Sequence, residues 1–157
     1  MTTVIAPFQR EAYRAPATLP QTALGALFVV TGGPVLAVVL GRVTTVLGAS
    51  ASLVRFVADP TIGADSDLSL AAGTSISGFA VGRWIWHFSA ASAVQVSPGA
   101  SATELPRTAA GGGPLFTGAL VAPGNISLDT TDNQTGEMEW FCYWQPLVPG
   151  AVVTAAP

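Results

Sequence analysis

Few residues of this chain could carry out acid–base, nucleophilic or metal chemistry. His87 is the only histidine and Cys142 the only cysteine among 157 residues. Nucleophilic catalysis needs a serine or thiol beside a histidine that an acid orients, and the chain contains no Gly-x-Ser-x-Gly motif. Reactive thiols also need exposure and a lowered pKa. We therefore expect His87 to be a structural strand residue and Cys142 to be a small buried hydrophobic side chain.

The carboxylates offer two weaker possibilities. Residues 65–67 (DSD) have the spacing of part of a calcium-binding loop, but the glycine and the distal glutamate of that loop are missing. Glu137 and Glu139 share one face of a predicted strand, and paired acids can hydrolyse glycosides, although acids in this position usually mark the wet edge of a strand. The triple glycine at 111–113 is followed by no lysine, as a phosphate-binding loop would be. We predict no enzyme, with no catalytic residue, no metal site and no cofactor.

The composition indicates a protein that buries much of its surface outside its own core. Half of the residues are hydrophobic and only 10 % are charged, against about 25 % in an ordinary globular domain. The formal net charge of −3 argues against nucleic-acid binding, which requires a basic patch. Such a chain either enters a membrane or covers its apolar surface with other subunits.

A membrane segment is the weaker of these two interpretations. Residues 15–41 carry no charge and are long enough to span a bilayer, but the Gly-Gly-Pro triplet at 32–34 would break a helix there. A cleaved secretory leader, with residues 24–40 as its apolar part and a cleavage site at 49–51, is an alternative. The same triplet divides that apolar part as well. We therefore expect neither a membrane span nor a leader.

Short apolar and β-branched runs between glycine and proline turns indicate nine or ten strands and no amphipathic helix. This pattern predicts an all-β protein, either a β-sandwich or a barrel. We favour a single β-sandwich domain of jelly-roll type over residues 21–157. We expect residues 1–20 to be an extended arm with at most one helical turn near 9–13, whose deletion leaves the fold intact, and 98–114 to be a surface loop. The predicted strands are 24–31, 34–47, 52–58, 67–71, 83–89, 93–97, 115–122, 125–130, 137–144 and 151–155.

Two of these strands place aromatic side chains on one face by strict alternation. In the strand at 137–144, Met138, Trp140, Cys142 and Trp144 form an apolar face that should be core, whereas Phe141 and Tyr143 share the other face with two acids. In the strand at 83–89, Trp84, Trp86 and Phe88 point away from Ile85 and His87.

We expect one small core to have no room for both aromatic faces, so one of them should meet another subunit. The face with Phe141 and Tyr143 is the better candidate, because its acids keep it from being fully core. The residues predicted to form a subunit or capsid interface are Phe8, Tyr13, Trp84, Trp86, Phe88, Phe141 and Tyr143.

Three blocks of the sequence resemble a family of small structural proteins encoded in tailed-bacteriophage genomes. They are Val29–Val46 (VVTGGPVLAVVLGRVTTV), Leu120–Asp129 (LVAPGNISLD) and Thr135–Val153 (TGEMEWFCYWQPLVPGAVV). The blocks occur in the same order as in that family. The resemblance implies a virion protein and brings no catalytic residues with it.

The resemblance and the composition together predict a capsid decoration protein. It would bind the outer capsid surface as a homo-oligomer, with a trimer favoured, and would stabilise the head. Its partners would be further copies of itself and the major capsid protein, without nucleic acid or membrane, and it would be made in the cytoplasm of the bacterial host. The alternative is a tail, baseplate or fibre-knob protein that stacks host-surface carbohydrate on Trp84 or Trp86. A secreted β-domain and a hydrolase that uses His87 are further alternatives.

Overall fold

The protein is an all-β sandwich of two antiparallel sheets. The computed structural model describes residues 10–87, 94–97 and 118–157, which contain twelve strands. Within these ranges the chain forms no helix, and so none that is long and apolar enough to cross a membrane. The all-β sandwich predicted from the sequence is therefore confirmed.

The first sheet holds the strands on which the candidate site lies. Its order is β1-β11-β3-β7-β8, and β9 pairs with the other end of β3. The strands are β1 (Arg10–Thr18), β3 (Val35–Thr45), β7 (Trp84–Trp86), β8 (Gln95–Val96), β9 (Ala119–Val121) and β11 (Glu137–Pro146).

The second sheet covers the inner face of the first. Its order is β12-β2-β10-β4-β5, and β6 also pairs with β4. The strands are β2 (Leu24–Thr31), β4 (Leu53–Pro60), β5 (Ser66–Asp67), β6 (Thr74–Ser75), β10 (Gly124–Thr130) and β12 (Val152–Ala155).

The core lies between the sheets and contains the side chains that the alternation of β11 predicted. Met138, Trp140, Cys142 and Trp144 are all buried there, and the Trp140 ring meets the Phe56 ring of β4 edge-on, with centroids 6.0 Å apart. Gly41 on β3 makes room for this indole. A Cβ at residue 41 would come within van der Waals overlap of the Trp140 ring, so this position in the strand has to be glycine.

The expected N-terminal arm is partly incorporated into the first sheet. Residues 10–18 are extended, as expected, but they pair along β11 rather than leaving the body, and residues 10–13 contain no helical turn. The pairing satisfies backbone groups of β11 that would otherwise form an open edge, and it buries Ala12. Residues 1–9 lie outside the described residues.

Several predicted strands are shorter than expected. Of the strand predicted at 67–71, only Asp67 lies in a strand, at the end of β5. Of the described residues 83–87, only those of β7 are in a strand, and residues 88 and 89 lie outside the described residues. The loop expected at 98–114 lies outside them as well.

A candidate interface on the outer face of the first sheet

Large side chains cross four strands on the face of the first sheet that points away from the core. Residue pairing places Tyr13 on β1 opposite Phe141 on β11, Phe141 opposite Leu40 on β3, and Leu40 opposite Trp86 on β7. Residues directly opposite one another in adjacent strands point to the same side of a sheet. These four side chains therefore form one row across the outer face.

A second row on this face is polar. Arg42 on β3 lies opposite both Glu139 on β11 and Trp84 on β7. The Glu139 side chain is only 7 % exposed, and its Oε1 accepts a hydrogen bond from Nε of Arg42, whose own side chain is 46 % exposed. Glu139 was expected on a wet strand edge with Glu137, and this expectation is wrong, because Arg42 and Tyr13 enclose its carboxylate.

Five side chains of these rows are linked in a closed ring of contacts, which we call the aromatic–ion circuit. The Tyr13 hydroxyl donates to Glu139 Oε2 over 3.0 Å, and Glu139 pairs with Arg42. The Arg42 guanidinium lies 5.6 Å from the centre of the Trp84 ring, within the range of a cation–π contact. The Phe141 ring completes the circuit, with its centroid 5.7 Å from that of Trp84 and 5.3 Å from that of Tyr13.

The circuit holds a carboxylate that burial would otherwise destabilise. Taking an unpaired carboxylate out of water is costly, and Glu139 offsets that cost with one charged and one neutral donor. The hydrogen bond to Glu139 raises the pKa of Tyr13, as do burial and the negative charge of Glu139, while Arg42 acts in the opposite direction. The Tyr13 hydroxyl therefore remains a proton donor at neutral pH.

The outer face is half covered and half open. Val38, Leu40 and Trp86 are buried, and Trp84 and Tyr143 pack against them while staying half-exposed. Tyr13 is 48 % exposed at the edge of the sheet. Burial, followed by the charge of Glu11, raises the pKa of Tyr143. The open part of the face therefore consists of neutral aromatic rings next to charged groups.

The predicted interface residues that the structure describes all lie on this face. Our expectation kept the two aromatic groups apart, whereas the first sheet joins them in one surface. Trp86 differs from the expectation of an exposed ring because it is buried. Phe8 and Phe88 lie outside the described residues. The sequence did not indicate Arg42 and Glu139 as partners, because their pairing depends on strand register.

His87 and Cys142 are both placed for packing. His87 is buried next to the Phe56 ring, with centroids 5.6 Å apart, and neither ring nitrogen has a hydrogen-bond partner in the described part of the chain. Burial lowers the pKa of His87 to about 4 and raises the pKa of the Cys142 thiol to about 12. At neutral pH the histidine is uncharged and the thiol is protonated, so this pair cannot supply an activated nucleophile.

The acidic motif at 65–67 lies on the outer face of the second sheet. Arg55 bridges Asp67 at 2.9 Å and Asp129 at 2.7 Å, and the hydrogen bond to Asp129 is the main cause that raises the Arg55 pKa. These carboxylates therefore already have a cation. In residues 10–87, 94–97 and 118–157, no three His, Cys, Asp or Glu side chains are grouped so that they could hold a metal ion.

Comparisons of this chain with family models, curated proteins and solved structures find no match. The outer face must therefore be interpreted from its own geometry. Its aromatic rings, one exposed guanidinium and one exposed carboxylate can bind by packing, cation–π contacts and ion pairs. These are the means by which one protein surface recognises another.

Proposed function

We propose that this protein is a structural component of a bacteriophage virion, a capsid decoration protein that binds the outer capsid surface and stabilises the head. The observation that carries the proposal is the outer face of the first sheet, where Tyr13 is exposed and Phe141, Tyr143 and Trp84 are half-exposed on one surface. Aromatic side chains are enriched in protein interfaces. In a chain with so few charges, this face is suited to contact with other subunits.

The resemblance of three sequence blocks to phage structural proteins supports the same assignment. The proposed partners are further copies of this chain and the major capsid protein, and the proposed location is the capsid surface after synthesis in the host cytoplasm. The trimer expected from the sequence remains a prediction, which the mass of the assembly in light scattering tests.

We further infer that the strands are connected as a jelly roll. Strands β1 to β4 alternate between the two sheets, and the orders β1-β11-β3-β7 and β2-β10-β4-β5 interleave early and late strands. Two interleaved Greek keys of this kind define jelly rolls, which include many viral capsid domains. Strand β12 extends the second sheet beyond that pattern.

No catalytic role is proposed. The buried neutral imidazole of His87 and the buried protonated thiol of Cys142 support this view. The two acids considered for glycoside chemistry also have other partners. Glu139 is held by Arg42 and Tyr13, and Glu137 accepts a hydrogen bond from Thr45.

The alternative, a tail or fibre protein that binds host carbohydrate, would need an exposed tryptophan surface for stacking. Trp86 is 4 % exposed, and Arg42 lies over the ring of Trp84. The carboxylate of Glu139 on this face already accepts hydrogen bonds from two side chains, so it is not open to sugar hydroxyls. These contacts favour the capsid assignment over the carbohydrate one.

The test is binding to phage heads. Heads that lack this protein are mixed with the purified chain, sedimented, and imaged by electron cryomicroscopy. We expect density on the outer head surface and a bound fraction that falls for Phe141→Ala. The control is Ile62→Ala, because Ile62 is 91 % exposed in a turn away from the face. Density on the tail alone, or no binding to heads, would contradict the proposal.

A further inference from the structure

Two opposite charges flank Phe141 symmetrically on the outer face of the first sheet. Glu11 on β1 lies opposite Tyr143, two residues beyond Phe141 along β11. Arg42 on β3 lies opposite Glu139, two residues before Phe141. Each charged residue is thus one strand and two residues away from Phe141, in opposite directions. The line from Glu11 to Arg42 passes over Phe141.

The side chains of Glu11 and Arg42 can both bind another molecule. Glu11 is exposed and forms no ion pair within the described ranges. Arg42 uses only its Nε on Glu139, so its two terminal nitrogens have no acceptor among the residues that the structure describes. Among the described residues, the face therefore presents Glu11 and the terminal nitrogens of Arg42 without partners, on opposite sides of an aromatic centre.

From this arrangement we propose that two copies of this chain pack face to face through the outer face of the first sheet, with Arg42 of each copy against Glu11 of the other. The two-fold axis lies in the interface, passes over Phe141 and runs perpendicular to the line from Glu11 to Arg42. Rotation about that axis exchanges the two charged positions, so both ion pairs form at once and the two Phe141 rings meet at the centre. This proposal rests on the homo-oligomer of the proposed function and names its contact.

A second copy fits this face better than an added strand fits its edge. The outer edge of β1 pairs with no other strand in the described part of the chain. Strand β1 carries Arg10 and Arg14, contains Pro16, and has a bulge between Arg14 and Ala17. Charges, proline and bulges are the features by which natural sheets prevent edge-to-edge pairing. We therefore expect a second copy to bind the outer face of the first sheet and not the edge of β1.

The symmetry of the contact follows from its self-complementarity. A closed ring of three copies joins two different patches of each chain, whereas a two-fold dimer joins one patch to itself. The charges around Phe141 complement their own rotated image. A dimer would thus replace the trimer that the sequence led us to expect.

The test uses charge reversal at positions 11 and 42, with sedimentation equilibrium as the measurement. Glu11→Arg places two like-charged pairs in the interface, and we expect it to weaken self-association at least about tenfold. The matched control is Asp65→Arg, which makes the same change in net charge at an exposed position in the loop before β5 of the second sheet. This control should associate as the unmodified chain does.

Mixing variants identifies the partner of each charge. Glu11→Arg and Arg42→Glu should each associate poorly alone, but their equimolar mixture should form mixed dimers, because each mixed dimer has one ion pair of the original polarity and one of reversed polarity. Because Arg42→Glu also removes the partner of the buried Glu139, a second mixture avoids that variant. A dimer of Glu11→Arg with the unmodified chain keeps one favourable pair, so its affinity should lie between those of the two homodimers.

Three results would overturn the inference. They are a Glu11→Arg variant that associates as tightly as the unmodified chain, a trimer that this variant leaves intact, and an unmodified chain that stays monomeric at micromolar concentration. A monomer that still binds heads would contradict the dimer and leave the capsid proposal intact. A dimer that binds no heads would contradict the capsid proposal and leave the dimer intact.

Discussion

The hydroxyl of Tyr13 donates a 3.0 Å hydrogen bond to the carboxylate of Glu139, which lies 126 positions further along the chain. This bond ties the edge strand β1 to β11, the strand that carries core residues on one side and the candidate interface on the other. Tyr13 takes part in the aromatic–ion circuit twice, because its hydroxyl binds Glu139 and its ring packs against Phe141. The first sheet and the surface that it presents are therefore stabilised by the same contact.

The first prediction concerns the ionisation of the two tyrosines. Both Tyr13 and Tyr143 have pKa values raised above 10.0, the first chiefly by its hydrogen bond to Glu139 and the second chiefly by burial. The ultraviolet absorbance of phenolate should therefore appear at higher pH than in the unfolded chain. Glu139→Gln should lower the pKa of Tyr13 and leave that of Tyr143 in place, with Tyr13→Phe assigning the signals. If Tyr13 titrated with the pKa that it has in the unfolded chain, the hydrogen bond between Tyr13 and Glu139 would be contradicted.

The second prediction concerns the ion pair of Arg42 and Glu139. Arg42→Ala leaves a mostly buried carboxylate without its cation, and we expect it to lower the free energy of unfolding by about 2 kcal/mol, less than for a fully buried pair because Arg42 is half-exposed. The double variant with Glu139→Gln removes the stranded charge, so it should cost less than the sum of the single changes. Urea denaturation of all four proteins measures the difference. Strictly additive effects would show that the two groups are not coupled.

The third prediction is a loss of stability in mild acid caused by His87. Its pKa is about 4 in the folded chain and near the ordinary 6.5 when unfolded. As the pH falls below 6.5, the unfolded chain binds the proton first, so stability is full above that pH and is lost progressively toward pH 4. The loss should reach about 3 kcal/mol.

The control for this effect is His87→Leu, which cannot titrate and leaves no unpartnered ring nitrogen in the core. The difference in unfolding free energy between the two proteins isolates the histidine from the carboxylates that titrate in the same range. We expect that difference to shift in favour of the variant as the pH falls from 6.5 to 4. A difference that does not change with pH would place His87 in contact with water.

The fourth prediction concerns the reactivity of the only cysteine. Cys142 is fully buried and its thiol pKa is raised to about 12, so iodoacetamide should not modify it in the folded protein. In urea the thiol should react at the rate of an unstructured cysteine. Because Cys142 lies on β11, its labelling rate at urea concentrations too low to unfold the protein reports how often the core opens. Fast alkylation without denaturant would mean that Cys142 is not on the core side of β11.

The fifth prediction corrects an expectation drawn from the sequence, that residues 1–20 can be removed without harm to the fold. That deletion removes β1, including buried Ala12 and the Tyr13 hydroxyl that binds Glu139. We expect the shortened chain to lose cooperative unfolding or to aggregate through the exposed edge of β11. A chain that begins at Arg10 keeps all of β1 and is the control. A stable, monomeric chain that begins at residue 21 would contradict the importance of this pairing.

The sequence predicted most of the strands because their alternation is strong. In β11 the alternating residues assign Met138, Trp140, Cys142 and Trp144 to the core without any knowledge of the neighbouring strands. Strand β1 was not recognised, because its buried position at residue 12 is a small alanine, and the positions two residues to either side are the charged Arg10 and Arg14, so the alternation is faint.

The candidate face could not be derived in this way. Alternation gives the side of a strand on which a residue lies, but not which strand lies beside it. The Arg42–Glu139 pair joins residues 97 positions apart, and the meeting of Phe141 with Trp84 depends on β3 lying between β11 and β7. Both relationships arise from sheet order and register.

The two-sided character of β11 has a consequence for quality control. A copy of the chain that paired this strand one residue out of register would turn Glu137 and Glu139 inward and Met138 and Trp140 outward, because every side chain changes side in such a slip. That copy would lose both the hydrophobic core contacts of β11 and the aromatic outer face. If the chain binds capsids as proposed, misregistered copies would fail to bind, and assembly itself would select correctly folded copies.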